Sequence, residues 1–332
     1  MNTEPKKYPD LMHGKRIMYV HGFGSSAQSG TVGRLRTTFP ETDVVAFDLP
    51  VDPHEALALL RTMCEELRPD LILGTSMGGM YAEQLYGFDR ILVNPAFQIA
   101  DTMREHNLMG KQTFLNPRQD GVQEFYVDKA LVKAYREVSE GCFAHAGADP
   151  KEDGRVWALF GDRDELVHTS ELFRQHYTQA VPFHGEHRLD DRSFMHAVVP
   201  VIRWIDDQQS GRQRPIIYIS IDAMRDSYGK PVSSLVKVVR SLIETYSVYF
   251  LASCPSNDHA YCDRVLQWLE EHIAVPAHDH VVFTNQPQLL YGDYFILHHQ
   301  EGDFMGAVIE FGSDEFKTWE EILIYFERLG GQ

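Results

Sequence analysis

Short, continuous apolar runs alternate along this chain with longer segments of helical period, a rhythm that predicts parallel strands covered by helices on both faces. The runs RIMYV (16–20) and DVVAF (43–47) come first. Alanines and leucines then recur at helical spacing over 54–67, Pro69 stops that helix, and DLILG (70–74) and RILVN (90–94) follow as strands. From 94 to 155 the strand signal fades, leaving one expected helix near 127–138. A span of this length inside a compact domain reads as a functional insertion, here a lid over about 95–154. The sheet resumes at VWALF (156–160), with a further short strand at 180–183 and a closing helix at 193–205.

The polar segment DDQQSGRQRP (206–215) has the character of a domain boundary. It divides an α/β domain at 14–208 from a second one at 214–332. In the second the rhythm restarts: strands at 216–221, 247–252, 281–284 and 294–297, helices at 232–245, 258–272 and 319–329.

With 332 residues, 43% of them hydrophobic, the chain can build two packed cores. Its 48 acidic and 31 basic residues give a net charge of -17, which repels phosphate backbones, and no basic stripe interleaves with aromatics; nucleic-acid binding is therefore not expected. No apolar run approaches 18 residues and the start lacks an apolar leader-type segment, so the expectation is a cytoplasmic protein without membrane attachment. Cys64, Cys142, Cys254 and Cys262 lack C-x-x-C spacing, which favours reduced thiols over disulfides or a zinc site.

The candidate chemistry begins at GTSMG (74–78), placed after a strand and before a helix as a nucleophile elbow requires. Ser76 is the candidate nucleophile. A serine hydroxyl needs a base and the base an orienting acid, and in this architecture they follow in the order serine, acid, histidine after later strands. GDRD (161–164) offers Asp162 and Asp164, and HGEH (184–187) offers His184 and His187; spacing alone does not separate either pair. The oxyanion donors fall on the backbone N–H groups of Met77, after the nucleophile, and Phe23, in the HGFG loop after the first strand. His21 reads as shaping that loop, and no cofactor is required.

HGFGSS (21–26), DLP (48–50), GTSMGG (74–79), NPA (94–96), GDRDELV (161–167) and GEH (185–187) together resemble the YqiA/YcfP-like small esterases of the α/β-hydrolase superfamily, over about residues 16–207. The resemblance implies Asp164 as the acid and His187 as the base. It further implies carboxylesterase or thioesterase activity on short acyl groups, with a small acyl ester or thioester as substrate.

IIYISIDAM (216–224), VYFLASCPSND (248–258), LLYGDYFI (289–296) and FGSDEFKTWEEIL (311–323) resemble the haloacid-dehalogenase superfamily, in its deoxyribonucleotidase branch. That family's chemistry needs a D-x-D pair in the first strand, and here the positions hold Ser220 and Asp222. Its phosphate-binding hydroxyl falls at or near Ala252, with Ser253 next to it, its lysines on Val265 and Pro287, and its later carboxylates on Leu297 and His298. A degenerate site formed by Ser220, Asp222, Asp293 and His298 is the expectation, without phosphatase activity or bound magnesium. Self-association or a protein partner would then be roles for this domain. The histidines of HDH (278–280) and HH (298–299) lack a third aligned ligand for a metal. Two other readings remain: a non-catalytic scaffold built from two α/β domains, and a bifunctional esterase and phosphatase.

Overall fold

The apolar runs become strands where predicted. In chain order the elements are β1 (Arg16–Val20), α1 (Gly30–Thr38), β2 (Asp43–Ala46), α2 (Pro53–Leu67), β3 (Leu71–Thr75), α3 (Met77–Glu83) and β4 (Asp89–Val93). An insertion of α4 (Ile99–Glu105), β5 (Gly110–Thr113), β6 (Glu124–Val127) and α5 (Lys129–Ser139) precedes β7 (Val156–Gly161) and β8 (Ala180–Phe183). This computed structural model describes residues 6–255, 258, 260–273, 280–298 and 303–330, and the chain divides into two units, Met1–Asp206 and Asp207–Gln332.

The first unit carries six parallel strands in the order β2-β1-β3-β4-β7-β8. Side chains alternate across the sheet. Met18 and Val20 face a core shared with Leu57 and Leu60 of α2 and Met80 of α3. Ile17 and Tyr19 face the opposite one, with Val32 and Leu35 of α1 and Val201, Ile202 and Ile205 of the closing helix. That helix runs from Asp191 to Ser210 through a π turn at Phe194–Val198. With two glycines and few apolar positions, α1 had no legible helical pattern in the sequence.

Chain order fixes where a site can form. From β1 the chain steps to β2 on one side, then crosses back to β3 on the other, so the loops leaving β1 and β3 diverge and open a crevice at the strands' carboxyl ends. Both HGFG and Ser76 leave the sheet there.

The insertion is more than helices. β5 and β6 pair as an antiparallel hairpin, from Gly110 opposite Val127 to Thr113 opposite Glu124. Its turn is tied to the loop after β1: Leu115 N–H donates to the Gly24 carbonyl (2.7 Å), Asn116 Nδ2 to Ser25 Oγ (3.0 Å), and Ser26 Oγ to the Pro117 carbonyl (2.6 Å). Asp48 accepts from Ala27 N–H of that loop (2.8 Å) and from Gln119 N–H of the hairpin turn (2.6 Å), so one carboxylate holds both.

The second unit is an open parallel sheet of β9 (Ile216–Ser220), β10 (Ser247–Ala252), β11 (Val281–Phe283), β12 (Tyr291–Leu297) and β13 (Met305–Glu310), in the order β11-β10-β9-β12-β13. This is a second, Rossmann-like α/β domain. Among the described residues, no helix is long and apolar enough to cross a membrane. Cys254 and Cys262, eight apart in sequence, bring their thiol sulfurs to 3.6 Å.

Candidate active site

Ser76 stands between β3 and α3 with φ 54° and ψ -119°, a conformation that costs a residue bearing a Cβ roughly 1–3 kcal/mol. The neighbouring glycines make the turn possible. A Cβ on Gly74 would lie 2.3 Å from the Gly78 carbonyl oxygen, and one on Gly78 only 2.0 Å from the Val20 carbonyl oxygen. No side chain fits either place, and the serine hydroxyl projects into the crevice.

Both aspartate and histidine candidates form pairs. Asp162 Oδ2 lies 2.8 Å from His184 Nδ1, and this pair is open to water, the side chains 49% and 62% exposed. Asp164 Oδ2 lies 2.8 Å from His187 Nδ1, with side chains only 2% and 16% exposed, and His187 Nε2 is 3.0 Å from Ser76 Oγ. Only this second pair reaches the serine. Burial raises the Asp164 pKa, but the His187 hydrogen bond and charge and the N–H groups of Leu166 (2.8 Å) and Val167 (3.0 Å) outweigh it, holding the carboxyl below its ordinary value.

Asn94, after β4, went unassigned in the sequence. Buried and at φ 45°, it donates through Nδ2 to the carbonyls of Glu186 (3.0 Å) and His187 (3.1 Å) and accepts through Oδ1 from Gly161 N–H (2.7 Å). One side chain thus joins the loop bearing His187 to the strand leading to Asp164. Its signals in the sequence were its place at the carboxyl end of a central strand and in the NPA segment (94–96), neither of which names a role. Asn94→Ala is expected to cost about 1–3 kcal/mol, since it leaves three part-buried backbone groups without this partner; urea denaturation reads the loss.

The N–H groups of Phe23 and Met77 have no acceptor among the described residues. Phe23 packs edge-on against Phe125 of the hairpin (5.3 Å between centroids) and Tyr135 of α5 (6.1 Å). His21 anchors the loop from inside. Its Nε2 accepts from Leu49 N–H (3.1 Å), so Nδ1 carries the proton donated to the Gly22 carbonyl (2.9 Å). Burial lowers the His21 pKa, against the opposing pull of the Gly22 carbonyl and Asp48. The unfolded chain therefore binds more protons here, and stability is full above about pH 6.5 and declines as pH falls toward the folded-state pKa. A His21→Gln variant should lose part of the decline in urea midpoint between pH 7.5 and 5.5.

The parallel six-stranded order, the serine elbow and the buried acid and histidine from successive later strands are those of an α/β-hydrolase. The family model described as "Uncharacterised protein family (UPF0227)" matches residues 16–204. The chain belongs to the UPF0227 family. Among solved structures, this UPF0227 member is similar to a soluble variant of monoglyceride lipase from Saccharomyces cerevisiae, 15% identical over 61% of this chain and 89% of that one, TM-score 0.40. It is also similar to Est1E from Butyrivibrio proteoclasticus, 15% identical over 63% and 89%, TM-score 0.40. A protein of Vibrio phage KVP40, named as a 5'(3')-deoxyribonucleotidase, is 29% identical over 100 residues; the match spans 29% of this chain and 58% of that protein's length.

In the second unit, Ser220 ends β9 and caps the next turn, its Oγ accepting from Asp222 N–H (3.3 Å), with Asp222 exposed. His298 follows β12 at the same, carboxyl edge of the sheet. Asp293 does not join them. It lies near the start of β12 and its Oδ2 accepts from Ile216 N–H (2.7 Å), the first residue of β9, so it caps the opposite edge. Grouping it with Ser220, Asp222 and His298 is corrected, because parallel strands set their beginnings and ends a full strand length apart. Among the described residues no cluster of three or more His, Cys, Asp or Glu could hold a metal; His278 and His299 lie outside those residues.

Proposed function

We propose that this UPF0227 member hydrolyses carboxylic esters or thioesters of short acyl groups through an acyl-enzyme on Ser76. The observation that carries the reading is the chain from Asp164 through His187 to Ser76 Oγ, with links of 2.8 and 3.0 Å. Ser76 Oγ attacks the acyl carbon as His187 Nε2 takes its proton, and Asp164 holds the ring and the charge that forms on it. The carbonyl oxygen becomes an oxyanion facing the N–H groups of Phe23 and Met77. The bond to the leaving alkoxide or thiolate breaks, and His187 returns the proton to it. His187 then deprotonates a water that attacks the acyl carbon, the acid departs and Ser76 regains its proton. No metal or organic cofactor enters these steps.

A cavity of about 550 Å³ at Ser76 and His187 supports the substrate class, with Ile99, Met103, Leu108 and Leu166 among its apolar lining. A fluorophosphonate probe tests the mechanism. Folded protein should label stoichiometrically at Ser76; no labelling, with a control esterase labelled, would sink the proposal and favour the scaffold reading.

For the second unit we infer a haloacid-dehalogenase-like scaffold without catalysis, available for self-association or a protein partner. Serine at position 220 leaves no carboxylate to accept a phosphoryl group. Magnesium with nucleoside monophosphates should release no phosphate in a malachite-green assay.

A further inference from the structure

The cavity at Ser76 departs from the charge of the chain that builds it. In a protein with 48 acidic residues its lining includes no aspartate or glutamate, while Arg34 and Arg188 both face it. One wall is the start of α1. Ser29, the residue capping that helix, lines the cavity at 8% exposure; its side chain makes no capping hydrogen bond, and its Oγ is buried without a partner. The N–H groups of Gly30 and Thr31 have no acceptor among the described residues. Arg34, one turn on, carries its Nη1 back to 3.5 Å from where a Gly30 Cβ would stand, while its Nε pairs with Asp191, whose side chain is 89% exposed.

A helix start with unclaimed N–H groups, a buried hydroxyl lacking a partner and a guanidinium folded over the same turn is a receptor for an oxyanion. From this we propose that the start of α1, with Ser29 and Arg34, is a subsite for a carboxylate or phosphate carried by the substrate, so that the ester hydrolysed is an anionic one. The inference rests on the reading of Ser76 as nucleophile. Remote binding at such a subsite positions the ester for attack, and the local cations offset the repulsion of the acidic surface.

The test compares phenyl acetate, which is neutral, with monophenyl succinate, 4-acetoxybenzoate and 4-acetoxyphenyl phosphate. These place a carboxylate on the acyl side, a carboxylate on the alcohol side and a phosphate on the alcohol side. With each rate divided by that ester's rate with hydroxide, kcat/KM for at least one anionic ester should exceed that for phenyl acetate at least about tenfold at low salt, and the ratio should shrink as salt rises. Which anionic ester leads identifies the anion and its side. Arg34→Gln and Ser29→Ala should each reduce the ratio at least about fivefold. A ratio near or below one for all three, or one unchanged in both variants, overturns the subsite. Calorimetric binding of the same esters to Ser76→Ala protein keeps the two readings apart. If no ester is turned over the nucleophile reading fails, and tighter binding of the anionic esters, lost in Arg34→Gln, still decides the subsite.

Discussion

Replacing Ser76 with alanine should lower kcat/KM for a short-chain activated ester by about 10,000-fold or more, to the residue of catalysis that binding and the oxyanion donors supply without a nucleophile. The geometry is what makes the expected effect large. His187 Nε2 lies 3.0 Å from Ser76 Oγ, and no other side-chain hydroxyl is bonded to it among the described residues. Stopped assays on purified protein with matched thermal unfolding curves would separate this loss from misfolding. Retention of most activity would remove Ser76 from the reaction.

The second large effect concerns the acid. Asp164→Asn should cost about 1,000- to 10,000-fold in kcat, because an amide at this position can donate to Nδ1 and hold the imidazole in the wrong tautomer. Asp162→Asn should leave kcat close to that of the parent, since its pair with His184 is solvated and does not reach Ser76. The contrast is the measurement. Equal losses, or a larger one at Asp162, would reverse the assignment. Because the folded-state pKa of Asp164 is depressed, its ionised form contributes stability above the unfolded value, near 3.9, and that contribution fades as pH falls through the folded pKa.

Much of this fold was legible because buried parallel strands are written as continuous apolar runs. β1, β3, β4, β7 and β8 fall within a residue or so of their runs. The serine was legible too, since a strained elbow demands glycines whose places no Cβ can occupy. What spacing could not separate were Asp162 from Asp164 and His184 from His187. All four follow the ends of adjacent strands, and both pairs close at 2.8 Å; burial and reach to Ser76 distinguish them, and these are properties of direction, not of order. The resemblance to small esterases had pointed to Asp164 and His187. The β5–β6 hairpin escaped notice because GKQT and EFYV are short and half polar, and their pairing depends on each other. Asn94 escaped because one polar residue at a strand end carries no periodicity. Asp293 misled because its sequence neighbourhood says nothing of which edge of the sheet it serves.

The shared grip of Asp48 on Ala27 and Gln119 makes the hairpin and the loop after β1 a single mechanical part. A designer seeking altered acyl preference could not transplant the hairpin as a self-contained cassette. Any graft would have to reproduce the turn that meets Asp48, or it would slacken the very loop that carries Phe23.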